Sequence, residues 1–150
     1  MINNYEINNS TLAIIPISGK TSKIIEVDNT LTINKSPPEI VDDSCKFFGS
    51  SYIGRFEGTK NLIGVNYKAP IIIEETREII FFPTSSPRFN NCFWISLKNI
   101  DNYLKNSNNN SIIKFKNGQS IELDISFGSL ENQILRAATL ESVLRQRKSY

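Results

Sequence analysis

Ser111-Ile-Ile113-Lys114-Phe115-Lys116-Asn117-Gly118-Gln-Ser120-Ile121-Glu122-Leu-Asp-Ile-Ser126 runs directly into a second stretch of different character. That second stretch is Ser129-Leu130-Glu131-Asn-Gln-Ile134-Leu135-Arg136-Ala137-Ala138-Thr-Leu140-Glu-Ser-Val143-Leu144-Arg145-Gln-Arg147-Lys148. The first half alternates β-branched and polar residues around an Asn-Gly, the signature of a hairpin. A two-residue turn would set Phe115 opposite Ser120 and Lys114 opposite Ile121, mixing the two faces. A three-residue loop, Lys116–Gly118 with Gly118 at positive φ, restores parity. Ile113 then faces Ile121, while Lys114 and Glu122 lie outside. Strands are therefore expected over Ser111–Lys116 and Ser120–Ser126.

From Leu130 to Lys148 there is no Gly or Pro, and a helix is predicted over residues 129–148. Ser129 is the expected N-cap, Glu131 suits the first turn, and Arg145, Arg147 and Lys148 complement the C-terminal dipole. Leu130, Ile134, Ala137 and Leu144 share a face, which Leu135, Ala138, Leu140 and Val143 widen. Such a helix either docks on its own core or lends part of its apolar surface to a partner subunit. On the second reading Leu130, Ile134, Ala137, Leu140 and Leu144 are the candidate dimerisation residues.

Upstream, short β-branched runs separated by Pro, Gly, Asn and Asp predict further strands. They fall at Leu12–Ile17, Lys23–Val27, Leu31–Asn34, Asn61–Tyr67, Pro70–Glu74, Glu78–Phe82 and Phe93–Leu97. Pro37-Pro38 reads as a stiff turn. Leu97–Lys105, with Ile100, Tyr103 and Leu104 on one helical face, reads as a short helix, followed by a solvated loop at Asn106–Asn110. Strands first and a long helix last make the fold class α+β: a mostly antiparallel β domain with a short middle helix and a long C-terminal helix. The 150 residues fit a single domain, 1–150.

Composition excludes more than it identifies. The chain is 39% hydrophobic and 21% charged, near the globular average. Its 23 Ile and 18 Asn against 4 Ala read as the mark of an A+T-rich genome. No window approaches the ~18 apolar residues of a membrane span, and the N-terminus lacks a signal-peptide pattern, so a cytoplasmic protein with no membrane partner is expected. Cys45 and Cys92 read as buried thiols. With no His, the standard Ser and Cys triads lose their base, and two distant Cys cannot make a zinc site; no catalytic residue, metal or cofactor is expected. Asp42-Asp43 and Glu74-Glu75 are adjacent acids that point apart on extended chain and read as solvated turns. Gly49 and Gly54 have P-loop spacing. However, Arg55 and Phe56 stand where Lys and a hydroxyl are needed, so nucleotide binding is rejected.

The net charge of +2 conceals an asymmetry. An acidic lead-in, residues 1–43, carries three bases against six acids, whereas residues 44–150 carry 14 bases against nine acids. The basic body, 44–126, opens with Ser44-Cys-Lys46-Phe-Phe-Gly49-Ser50-Ser51-Tyr52-Ile-Gly54-Arg55-Phe-Glu-Gly58-Thr59-Lys60. Glycines, hydroxyls and bases on an aromatic frame suit a contact with nucleic-acid backbone. The plain alternative is a structural turn with ordinary surface bases.

The same segment resembles the ComK family of competence transcription factors. The likeness continues through Tyr67-Lys68-Ala69-Pro70-Ile71-Ile72, Ile80-Phe81-Phe82-Pro83-Thr84 and Cys92-Phe93-Trp94-Ile95-Ser96. It then takes in Phe115-Lys116-Asn117-Gly118, Ile121-Glu122-Leu123 and Leu130-Glu131-Asn132-Gln133 with Arg136-Ala137. The resemblance implies an activator of DNA-uptake genes that binds double-stranded A+T-rich boxes, chiefly through the minor groove, as a homodimer and as paired dimers on DNA. It also implies proteolytic control through a Clp protease adaptor. Longer relatives continue past the final helix, whereas these residues end at Tyr150, so the part of the adaptor contact resting on such a tail is not carried over. The residues expected at DNA are Arg55 in the groove and Lys46, Ser50, Ser51, Thr59 and Lys60 on phosphate, with Arg88 and Arg136 as outer candidates. The competing reading is a non-enzymatic protein-interaction module, a short or truncated relative without DNA-binding activity.

Overall fold

The computed structural model describes residues 2–150. Nine strands and three helices follow in the order β1 (Thr11–Ser18), β2 (Thr21–Glu26), β3 (Thr30–Ile33), α1 (Pro37–Phe47), α2 (Tyr52–Ile63), β4 (Ile71–Glu74), β5 (Ile79–Pro83), β6 (Trp94–Ser96), β7 (Ile100–Lys105), β8 (Ser111–Phe115), β9 (Ser120–Leu123) and α3 (Phe127–Lys148). The strands form an antiparallel six-stranded sheet, ordered β3-β2-β1-β6-β5-β4, and a three-stranded sheet, β7-β8-β9. The fold is α+β, with short helices in the middle and a long one at the C-terminus.

The large sheet is buried on both faces, which explains its unbroken apolar runs. In β5, Ile80 and Phe82 enter one core while Ile79 and Phe81 enter the other. The first core lies against α3 and the small sheet, through Ile113, Phe115, Leu130, Ala137 and Leu140. The second packs Ile14, Ile24, Ile71 and Trp94 against Ile40, Val41 and Cys45 of α1. Helix α2 serves both: Tyr52 and Phe56 pack on the second core, Leu62 and Ile63 on the first. Cys45 and Cys92 are free and buried.

The β8–β9 hairpin has the expected register. Ile113 pairs with Ile121, the Phe115 N–H donates to the Gln119 carbonyl at 2.8 Å, and Gly118 sits at φ +95°. Four local readings change. Pro37-Pro38 is the first turn of α1, because the N–H groups that proline lacks are unpaired there in any helix. Ser36 caps that turn in a reciprocal capping box with Glu39. Asn61–Tyr67 is the last turn of α2 and a loop; Gly64, at φ +74°, ends the helix. Leu97–Lys105 holds strand β7, and a bulge between Ile100 and Asn102 shifts its register. That extra residue turns Ile100 and Tyr103 to the same side, imitating helical spacing. Finally, α3 is capped by Ser126, whose Oγ accepts from the Ser129 N–H at 3.2 Å, one turn before the expected start.

The candidate dimerisation residues lie on the inner side of α3. Leu130, Ala137, Leu140 and Leu144 are buried in the first core, and Ile134 packs against it. Their apolar side chains pack within the chain's own core.

Candidate nucleic-acid interface

The segment expected to be a glycine-rich loop is a helix pair. Lys46, on the last turn of α1, is ion-paired with Asp42 at 2.9 Å. Ser50 lies in the connecting turn, and the Ser51 Oγ caps α2 by accepting from the Gly54 N–H at 2.9 Å. A Cβ on Gly54 would stand 2.9 Å from the Ser50 Oγ, so a larger residue there would require the Ser50 hydroxyl to turn aside. Arg55 points towards the β4–β5 turn, with its Nη1 2.7 Å from the Glu75 Oε1 and its side chain only 16% exposed. Lys60 is exposed on the last turn of α2.

Thr59 leaves the phosphate set. It is fully buried, and its hydroxyl donates to the Pro70 carbonyl at 2.6 Å. Arg136 donates from Nη1 to the Tyr67 carbonyl at 3.0 Å and so ties α3 to the loop after α2. Arg88 is exposed in the loop between β5 and β6. The eight residues are therefore not one surface. Ser50 and Arg55 share a polar cavity, while Arg88 stands with Glu39 and Asp42 around a different groove. Glu39, which has no basic partner within 4.0 Å among the described residues, makes its neighbourhood less favourable for a polyanion.

The stronger basic surface surrounds the β4–β5 turn. A cavity of about 550 Å³ between α2 and this turn is lined by Ser50, Arg55, Glu74, Glu75 and Arg77. A second, of about 400 Å³, is lined by Arg77, Glu78, Lys98, Lys116, Glu141 and Arg145. The two share Arg77, and Lys148 joins them by donating to the Glu75 carbonyl at 3.1 Å. Arg55, Arg77, Lys98, Lys116, Arg145 and Lys148 thus form a belt drawn from five separate segments of chain.

Carboxylates fix the arginines in this belt. Glu78 receives both Nε and Nη2 of Arg145 at 2.8 Å, with the Lys148 Nζ 3.5 Å away. The Arg145 hydrogen bonds, partly opposed by desolvation, hold the Glu78 carboxyl below its usual range. Arg77 pairs with Glu74 at 2.8 Å, and its guanidinium lies 5.6 Å from the centre of the Phe48 ring. Lys98 instead donates to neutral groups, the Arg77 carbonyl at 2.8 Å and the Asn9 Oδ1 at 3.0 Å, so its charge is not cancelled locally. Lys116 is exposed and has no acidic partner within 4.0 Å among the described residues. Pre-positioned guanidiniums beside free ammoniums can accept a chain of phosphates. The thiols offer no comparable chemistry: burial pushes Cys45 up to about 12 and raises Cys92 as well, so neither is a ready thiolate.

Sequence reasoning reached Arg55 and Ser50 but missed Arg77, Lys98, Lys116, Arg145 and Lys148. None of these sits in a local motif; only the excess of bases after residue 44 hinted at them.

A sequence model of the family described as ComK protein matches residues 2–149. A curated relative, "Competence transcription factor" of Bacillus subtilis (strain 168), is 40% identical over 149 residues, covering 97% of this chain and 78% of its own length. No solved structure gives a significant match.

Proposed function

The chain belongs to the ComK protein family and carries its competence transcription-factor role, and on that premise we propose that it binds double-stranded A+T-rich DNA as a dimer in the cytoplasm, chiefly through the minor groove. The observation that supports this most is the belt around the β4–β5 turn. Lys98 and Lys116 are the candidate phosphate contacts, since neither charge is neutralised. Arg77, half-exposed at the apex of the turn, is the candidate to enter the groove. A·T pairs leave the minor groove narrow and electronegative, which favours an inserted arginine and asks for few base-specific contacts. Arg55 then acts behind the surface, holding α2 to the turn through Glu75.

Gel-shift titrations over a salt series test these roles. Lys98→Ala and Lys116→Ala should each weaken all sequences alike and reduce the slope of log K against log salt by about 0.9. Arg77→Ala should instead relax the A+T preference, by about 1–3 kcal/mol for each base that the arginine reads. An unchanged slope in the double lysine variant removes the belt from the interface. A parent chain that binds no A+T-rich DNA at low salt favours the protein-interaction reading.

A further inference from the structure

On the side of the molecule built by α1 and the first turns of α2, an open groove of about 600 Å³ runs between α1, α2 and the loops carrying Tyr67 and Pro87. Its floor is apolar and open to solvent: Ile53 is 72% exposed and Tyr67 56%, beside the half-buried Phe56. The surface continues past Pro38 and Pro87 to Phe89, which is 57% exposed. Large apolar side chains exposed together mark a surface that meets another macromolecule.

The rim says which one. One wall, α1, contributes Glu39 and Asp42, while the loops contribute Lys68 and Arg88. Neither Lys68 nor Arg88 has an acidic partner within 4.0 Å among the described residues. Nor does Glu39 have a basic one, and its carboxylate is used only by Ser36 of the helix cap. A polyanion would meet the α1 acids, and a uniformly charged peptide would leave one set unpaired. A surface with an apolar centre and opposite charges on its walls matches itself, because a two-fold rotation brings each wall onto the other copy's opposite wall.

We propose that this groove is the contact between two copies of the chain, related by a two-fold axis through Ile53 and Tyr67. Glu39 of each copy, the α1 acid without a basic partner of its own, faces Lys68 and Arg88 of the other; Asp42 is already held by Lys46. The proposal rests on the dimeric reading above and assigns it a surface remote in sequence from the C-terminal helix.

Sedimentation velocity of the full chain over a concentration series, with circular dichroism as a check on folding, decides it. The parent should dimerise. Ile53→Asp, at an exposed position, should raise the dimer dissociation constant at least tenfold while the chain stays folded. Arg88→Glu alone and Glu39→Lys alone should each dissociate, since each sets like charges against each other twice. Mixed in equal amounts, the two should re-form dimers, because both cross-contacts are then of opposite sign. A folded Ile53→Asp chain that dimerises like the parent overturns the groove and leaves the dimer intact. A parent that stays monomeric up to about 100 μM overturns both. Should Glu39→Lys fail to fold through loss of its cap, Ile53→Asp and Arg88→Glu still give the answer.

Discussion

Glu78 illustrates how much one residue of the belt carries. It sits at φ +55°, a left-handed conformation that costs an L side chain about 1–2 kcal/mol and that glycine would adopt freely. What it provides in return is the carboxylate that receives Arg145 bidentately and holds Lys148 close. The folded-state carboxyl lies below its usual range, so the clamp contributes fully above the unfolded carboxylate pKa and is lost as pH falls through the folded value. Thermal melts from pH 6 to pH 2 should show stability declining on acidification, and Glu78→Gln should remove part of that decline. Asp42 should preserve a remainder, since its carboxyl is also held low, first by the Tyr52 N–H and then by Lys46. Equal pH dependence in variant and parent would show that the clamp adds nothing. At this scale the sequence was legible where parity governed, as at Gly118 and Ile113. It was not legible at Thr59, because a threonine hydroxyl suits a phosphate and a buried carbonyl equally well.

Among the elements, α3 was visible in outline, while its burial was left open. Its length followed from the absence of Gly and Pro, but a broad apolar face does not say whose core it fills. Here it fills its own: Leu140 is fully buried, and Gln133 donates inward to the Lys68 and Pro83 carbonyls at 2.9 and 2.7 Å. Leu140→Ala should therefore cost about 2–5 kcal/mol in urea unfolding, with the monomer–dimer equilibrium of the folded chain unmoved. A variant that loses dimers at parental stability would return the helix to the interface. The α1–α2 pair was hidden for a different reason. Two prolines and three glycines dominate its composition, yet the prolines fall in a first turn, and Gly54 and Gly58 are carried inside α2 by tertiary packing despite a weak intrinsic propensity. In β7 a bulge reproduced helical spacing, which no periodicity argument can detect.

Across the whole molecule the proposed functions occupy separate regions, the groove against α1 and the belt around the β4–β5 turn. Family membership and fold class could be read from motifs and strand patterns, whereas the belt could not, because folding alone gathers its bases. The separation has a measurable signature. Ile53→Asp should keep the single-site salt dependence while the parent, binding with two copies, should give about twice that slope; equal slopes would mean that one copy makes all the phosphate contacts. A different consequence follows from the far end of the large sheet, where Ile2 forms a parallel bridge with Ile33. The Ile2 N–H reaches the Thr32 carbonyl at 3.3 Å, and the Asn34 N–H reaches the Ile2 carbonyl at 2.8 Å. Ile2 thus covers the Thr32–Asn34 end of β3, where unpaired edge groups would otherwise be open to strands from other chains. Trimming Ile2–Asn4 would uncover these groups and should raise the tendency of chains to add edge to edge, which light scattering of the trimmed and full chains would show.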